Sequence, residues 1–284
     1  MKSNLENPAA AHNNESFKCI TLIALSNPEP GYKDTRHNAG RLIINNMIDQ
    51  LTSNNGSEPT IGSMKAVANI SLPPGKKLVG SLEKIYGSDE VKKYKISVEN
   101  FKGAHKRVNY QIFTPTLKRV DGEDDIKTLT FNRNKVSFIL AYVDRTAMNI
   151  NGPKAIEFLK KIPSILSSNV KNSYESTAII KNFIVADDKD VKLGATQIRS
   201  IDSSNRGHNG YHSCQKALNG KHDIEYSKLS IGVGKPPVNE DELYDRMVLA
   251  DYVLGNFKPE EIDILKTETT EKVWDILLKQ RQIK

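Results

Sequence analysis

From Lys18 to Leu25 the chain reads Lys-Cys-Ile-Thr-Leu-Ile-Ala-Leu, apolar on both parities rather than on alternate positions. It reads as a buried strand, and the alternation of such strands with helical segments along the chain argues for a layered α/β fold. Leu42, Ile43, Met47, Ile48 and Leu51 then recur at helical spacing between Gly40 and Leu51. Between strand and helix lies a polar block, Asn27-Pro28-Glu29-Pro30-Gly31-Tyr32 running into Thr35-Arg36-His37-Asn38-Ala39-Gly40. In open α/β sheets ligands bind beyond the carboxyl ends of the strands, where this block projects.

The same grammar continues downstream. Asn109 to Phe113 reads as a strand, and Thr128–Phe131 with Lys135–Ala141 as a hairpin across Asn132-Arg133-Asn134. Asn151-Gly152-Pro153 opens a helix to about Lys161, with Asn151 as N-cap. Phe183–Ala186 is a short strand that releases Asp187-Asp188-Lys189-Asp190 at its end. Gln197–Ile201 adds a strand, Arg206-Gly207-His208-Asn209-Gly210 leads into a helix bearing Cys214, Ala217 and Leu218, and Lys228–Val233 is a strand. Pro259 to about Arg281 reads as one amphipathic helix. The stretch from Thr52 to about Arg107 is mixed, with turn material at Pro73-Pro74-Gly75 and charge clusters at Lys76-Lys77 and Lys92-Lys93. The expectation is a single three-layer α/β domain with a mixed central sheet flanked by helices. Residues 1–16 read as a disordered tail.

Composition narrows the function classes. Forty-one Lys and Arg against 34 Asp and Glu give a net charge of +7, which suits a polyanionic partner and equally a solvated basic surface. The two cysteines have neither disulfide nor metal spacing, which fits a reducing compartment. No apolar run reaches the ~20 residues of a membrane span, and no secretory signal or basic presequence opens the chain.

The polar blocks contain the parts of an ester hydrolase. His37 is a candidate base, Asp187 a candidate to orient it if the two strands are neighbours, and Asn27, Asn149 and Asn209 are amides suited to holding water and sugar hydroxyls. Each has a plainer reading, as loop histidine, turn residue, helix cap or solvated acid. His208 and His212 share an i, i+4 face but have no third ligand nearby, so a zinc site is not expected. Gly232-Val233-Gly234-Lys235 lacks the spacing of a phosphate loop, and no Gly-x-Ser-x-Gly elbow supports an acyl-enzyme.

Taken in order, Asn27 to Tyr32, Thr35 to Gly40, Met148-Asn149-Ile150-Asn151-Gly152, Asp187 to Asp190, and Gly207 to Gly210 resemble the motifs of bacterial-type peptidyl-tRNA hydrolase. Ile231 to Gly234 and Tyr252 to Gly255 resemble later landmarks of that family, so the likeness runs from about Phe17 to Phe257. Arg206 and Glu29-Pro30 look more like fungal members. The resemblance implies hydrolysis of the ester joining a peptide to tRNA, with no cofactor and no metal, by a monomer whose partner is its tRNA substrate. It implies that His37 is the base, Asp187 its stabiliser and Asn27 the residue that senses a blocked amino end. Tyr32, Asn38, Met148, Asn149 and Asn209 are implied substrate contacts. Arg199, Arg206, Lys228 and Lys235 are candidate phosphate contacts.

The departures are specific. Ser203-Ser204-Asn205-Arg206 replaces a glycine-rich approach, Ala147 replaces an aromatic, and Gln197 and Arg199 stand where lysines are expected. The long separation of His37 from Asn149 locates an insertion within about 52–125, inside a catalytic domain of 17–284. The binding-class alternative is a non-catalytic RNA-binding or splicing-type member of the same family. Cytoplasm and mitochondrion are both compatible with the sequence.

Overall fold

The computed structural model describes residues 17–52, 64–68, 94–119, 126–128, 130–131, 134–169, 179–220, 223–237 and 246–279. The amino-terminal tail, Pro73 to Lys77, Lys92-Lys93, Asn132-Arg133 and Arg281 lie outside them.

Among the described residues, ten strands form one sheet: β1 Phe17–Ala24, β2 Met64–Ala68, β3 Tyr94–His105, β4 Val108–Arg119, β5 Ile126–Thr128, β6 Thr130–Phe131, β7 Asn134–Val143, β8 Ile179–Asp188, β9 Thr196–Arg199 and β10 Ser227–Gly232. The order is β2-β3-β4-β7-β1-β8-β10-β9, with β5 on β4 and β6 on β7. β7, β1, β8 and β10 are mutually parallel, and the strands outside them pair antiparallel. The mixed sheet is as expected. The four parallel strands end at one edge, and β1 lies between β7 and β8, so loops leaving β1, β7 and β8 are neighbours.

The apolar run of β1 is covered on both sides. Ile20, Leu22 and Ala24 pack with Ile43, Ile44 and Met47 of α1 (Ala39–Thr52) and with Trp274 and Leu277 near the carboxyl terminus. Cys19, Ile23 and Leu25 pack against the other layer, through Phe158 and Leu159 of α2 (Gly152–Asn169) and Tyr211 and Cys214 of α3 (Asn209–Leu218). A fully buried aliphatic side chain contributes roughly 1.5–3 kcal/mol of transfer free energy. The two clusters therefore fix both the layering and the register of the central strand.

Several elements differ from expectation. β3 is a twelve-residue strand in a stretch read as mixed. Tyr94, Ile96 and Val98 alternate with Lys95, Ser97 and Glu99, but the phase breaks at Asn100-Phe101. Asn100 is buried there because its amide donates to Gln111 Oε1 across the hairpin at 2.9 Å. α2 runs on to Asn169 with Pro163 inside it. Asn151 does not cap that helix with its side chain: Oδ1 accepts from Ser26 N at 2.9 Å, and Nδ2 donates to the carbonyls of Thr146 and Ala147. The terminal helix is divided by a π turn, Leu265–Thr269, between α5 (Pro259–Ile264) and α6 (Thr270–Lys279). The extra residue keeps Leu265, Val273 and Leu277 on the core. A further helix, α4 (Arg246–Leu254), is without apolar periodicity and was not expected.

Candidate active site

Where β1 ends, amides replace the ladder. Asn38 Oδ1 accepts from Asn27 N at 2.7 Å, and Asn38 Nδ2 donates to Asn27 O at 3.2 Å, so one side chain closes the loop on itself. Asn38 is wholly buried, which removes it from the expected substrate contacts: its hydrogen bonds serve the backbone of Asn27. Asn27 Oδ1 accepts from Met148 N at 2.8 Å. That bond assigns the amide orientation and leaves the Nδ2 hydrogens for another acceptor.

His37 lies in the short 3-10 turn Arg36–Asn38 that opens α1. Its Nδ1 is 2.8 Å from Oδ1 of Asp187, at the end of β8. The strand adjacency that this pairing requires is present, with Leu22 opposite Phe183 and Ala24 opposite Val185. His208, a residue of the Gly207–Gly210 motif, is the third member. Its Nε2 is 3.0 Å from the same Asp187 oxygen. Its Nδ1 accepts from Tyr211 N at 3.2 Å, capping α3. A nitrogen that accepts a backbone N–H carries no proton, so His208 is the Nε2–H tautomer and donates to Asp187. A capping imidazole is rare enough beside Ser, Thr, Asp and Asn that a histidine directly before a helix is the signal that was available. The ligand-type atoms of His37, Asp187 and His208 lie within 4.8 Å of one another, so this trio, not His208 with His212, is where the imidazoles and acid converge. Both rings direct a nitrogen at one oxygen, the arrangement of two donated hydrogen bonds.

The electrostatics follow from that geometry. Burial disfavours a charged His37, but the Asp187 carboxylate and its hydrogen bond outweigh it and raise the pKa above the ordinary ~6.5. Burial alone would likewise raise Asp187; His37 and His208 reverse this and hold the acid well below the usual carboxylate range. Asp187 therefore stays ionised and accepts the Nδ1–H of His37, which leaves His37 Nε2 with its lone pair.

Close packing joins the remaining motifs. A Cβ on Gly210 would come within 2.8 Å of Leu25 Cδ1, 2.9 Å of His208 Cε1 and 3.0 Å of Met148 Sδ. Glycine is needed there because the start of α3, the end of β1 and the Met148 turn meet at that point. Asn149 and Asn209 are exposed on either side of this junction, next to Met148 and His208. Tyr32 is exposed on the loop before His37.

A cavity of about 470 Å³ opens over the trio, with His37, Asp187, Arg206, His208 and Asn209 on one wall and Leu249 and Val253 of α4 on the other. Asn27, Tyr32, Met148 and Asn149 are not in its wall. α4 is fixed at its carboxyl end, where Arg36 lies 4.4 Å over the Tyr252 ring, donates to Asn256 O and pairs with Glu261 at 2.7 Å.

The expected phosphate contacts separate into two kinds. Lys228 is 0% exposed and donates to Ser203 O and Asn205 Oδ1, so it holds the loop before His208 from beneath and is corrected to a scaffold residue. Burial lowers its ammonium to about 8. Arg199 is also buried, engaged by Asp188 at 3.3 Å, Ser230 Oγ at 3.2 Å and Ser204 O at 2.6 Å. Arg206 shares Asp188, at 2.9 Å, and still reaches the cavity. Lys235 is the open one, with a side chain 55% exposed and a long 3.8 Å contact to Asp190.

Comparison with known proteins gives a consistent family. Residues 167–283 match the sequence profile described as peptidyl-tRNA hydrolase. A Saccharomyces cerevisiae peptidyl-tRNA hydrolase is 31% identical over 97 residues, 34% of this chain and 49% of that one. One from Rickettsia typhi is 33% identical over 130 residues, 46% of this chain and 55% of that one. A Prochlorococcus marinus relative is 25% identical over 246 residues, 87% of this chain and 82% of the relative. The chain spans about half the length of the yeast and R. typhi relatives it matches. The alignment with a solved Acinetobacter baumannii peptidyl-tRNA hydrolase (Arg119Gln mutant) covers 96% of this chain and 93% of that one, at 16% identity and a TM-score of 0.44. On the profile match to its carboxyl-terminal part and on the yeast and bacterial sequence relatives, the chain is similar to peptidyl-tRNA hydrolases.

Proposed function

We propose that the chain hydrolyses the ester between a peptide and the 3′-terminal ribose of tRNA. The observation that carries this reading is the 2.8 Å bond from His37 to an ionised, buried Asp187 beside an open cavity. His37 Nε2 takes a proton from a water molecule as its oxygen attacks the ester carbonyl carbon. Asp187 keeps the ring oriented and stabilises the imidazolium that forms, as in a hydrolytic triad. The carbonyl becomes a tetrahedral oxyanion, for which the Nδ2 hydrogens of Asn27, left over by its bond to Met148 N, are the proposed donors. Collapse breaks the bond to the ribose oxygen, the imidazolium returns its proton to that oxygen, and the products are a tRNA with a free hydroxyl and a peptide carboxylic acid, which ionises to the carboxylate by releasing its proton to solvent. His208 shares the Asp187 oxygen and keeps the carboxylate fixed. No cofactor or metal enters this scheme.

Met148, Asn149, Asn209 and Tyr32 are proposed to border the bound acyl and ribose groups, and Arg206 and Lys235 to meet phosphates. The proposed catalytic unit is residues 17–284, with an insertion within about 52–125, acting as a monomer. No helix among the described residues is long and apolar enough to cross a membrane, and the proposed site of action is a translating compartment, cytoplasm or mitochondrion. The test is release of an N-acetylated amino acid from tRNA, with the unblocked aminoacyl-tRNA as control. The reading expects cleavage of the blocked ester alone; binding of tRNA without cleavage at any protein concentration would instead mark a non-catalytic RNA-binding member.

A further inference from the structure

The strands within the insertion do more than widen the sheet. β4 runs antiparallel to β7, with Val108 opposite Val143, so the β3–β4 turn emerges at the edge where β1, β7, β8 and β10 end. That is the edge that carries His37, Asp187 and His208. β4 lies two strands from β1, so the turn stands roughly 10 Å along the edge from the end of β1 at the usual strand spacing. It projects on the side of His37 opposite to β10 and Lys235.

The turn is basic, exposed and held in place. Lys106 and Arg107 are both exposed, and Arg145, on the loop after β7, has a side chain 78% exposed. Lys106 and Arg145 occupy the left-handed region at φ 54° and 53°, a backbone state that side chains other than glycine seldom adopt. Arg107 O accepts from Asp144 N at 2.6 Å, which ties the turn to the loop leading to Met148. Lys154 of α2 adds a fourth cation. Two acids stand among them. Asp144 is already engaged by the buried Arg41 at 3.2 Å and by Asn109 at 3.3 Å, and it makes a longer 3.6 Å contact to Arg145. The Glu157 carboxyl is hydrogen-bonded by Lys106 and held below its ordinary range by that bond and by the charges of Lys106, His105 and Lys154. The local field is therefore positive at its own acid, and Arg107 makes no ion pair among the described residues.

We infer that Lys106, Arg107, Arg145 and Lys154 form a contact surface for RNA phosphates on the β7 side of the cleft, distinct from the Arg206 and Lys235 side. The inference deepens the proposed function and rests on its claim that the ligand carries RNA. A fixed, rigid cluster of this kind binds the backbone without reading bases, and each phosphate it neutralises releases counterions. Its occupant is a stretch of tRNA backbone beyond the acylated end.

The experiment uses the full chain and the double variant Lys106→Glu/Arg107→Glu, with Lys106→Gln/Arg107→Gln as a second version that avoids charge reversal. Affinity for deacylated tRNA is measured across a salt series, alongside turnover of N-acetylated aminoacyl-tRNA and of the same acyl group on a CCA trinucleotide. The inference expects tRNA affinity to fall ~10-fold at moderate salt, with the slope of log K against log salt shallower by about 2. KM for the full tRNA substrate rises by the same factor, kcat holds, and the trinucleotide is cleaved as before. Unchanged affinity and slope overturn it, as does a wild-type chain that does not bind tRNA. A wild-type chain that binds through this turn yet cleaves nothing sinks the proposed reaction and leaves the RNA surface standing.

Discussion

Asp187 and Asp188 are consecutive, both buried, and both placed by the last two positions of β8, yet they serve opposite ends. Successive residues of a strand face opposite sides. Asp187 meets two imidazoles, and that of His37 has a nitrogen left to accept a proton. Asp188 meets Arg199 and Arg206, which keep their charge at any working pH. One carboxylate therefore sits in a proton-handling unit and its neighbour in a permanent clamp. The same residue type gives chemistry or scaffold according to whether its partner titrates.

The comparison breaks most visibly at His37. Replacing it with alanine removes the only imidazole with a free Nε2 in the trio and should lower kcat by about 10³-fold with little change in tRNA affinity, since positioned general bases contribute roughly 10²–10⁴. A steady-state assay on N-acetylated aminoacyl-tRNA reads both numbers, and turnover within tenfold of wild type would remove His37 from the mechanism. Next in size is Asp188→Asn, which leaves two arginine charges undercompensated in a buried site. Stability should drop by about 2–3 kcal/mol, read by urea denaturation, with a rise in KM and a smaller loss of kcat. Should Asp188→Asn damage kcat as severely as changes at Asp187, the division of labour between the neighbours would be wrong.

His208 sharpens the contrast more gently. His208→Leu deletes one hydrogen bond to Asp187, which makes the carboxylate a stronger acceptor for His37, so the acid limb of the rate profile should move to higher pH while kcat falls by about tenfold. The smallest effects separate Lys228 from Lys235. Lys235→Gln should reduce the salt slope of tRNA binding by about 1, whereas Lys228→Met should leave the slope alone and lower the melting temperature, because its charge never meets solvent.

Much of this site was legible in the sequence, for reasons that can be named. His37 and Asp187 each follow an apolar strand, and parallel neighbours deliver the residues after their carboxyl ends to one edge. In the sequence His208 stands out for its i, i+4 relation to His212, whereas its role comes from the turn that opens α3. Lys228 was misjudged because a charge in a one-dimensional string gives no sign of burial, and only the fold shows it beneath the Ser203–Asn205 loop. Asn38 was counted as a contact for the same reason. β3 escaped notice at the phase break that the Asn100–Gln111 bond repairs, and α4 escaped because it is tied down by Arg36 and Tyr252 rather than by a periodic apolar face.

The two ionisations also set stability and activity against each other. His37 is raised, so its charge stabilises the fold below the ordinary histidine range and that contribution disappears as pH climbs through the raised value. Asp187 is lowered, so its contribution is present above the ordinary carboxylate range and is lost as pH falls through its depressed value. The ion pair is complete at mildly acidic pH, where the base is already occupied by a proton. The decisive measurement is the single-turnover rate of N-acetylated aminoacyl-tRNA hydrolysis against pH, for the wild-type chain and for Asp187→Asn. The account predicts an acid limb with a midpoint above ~6.5 in the wild type, and in the variant a slower reaction whose limb lies at lower pH because the carboxylate no longer supports the imidazolium. A wild-type profile with no acid limb, or the same midpoint in both proteins, would contradict it.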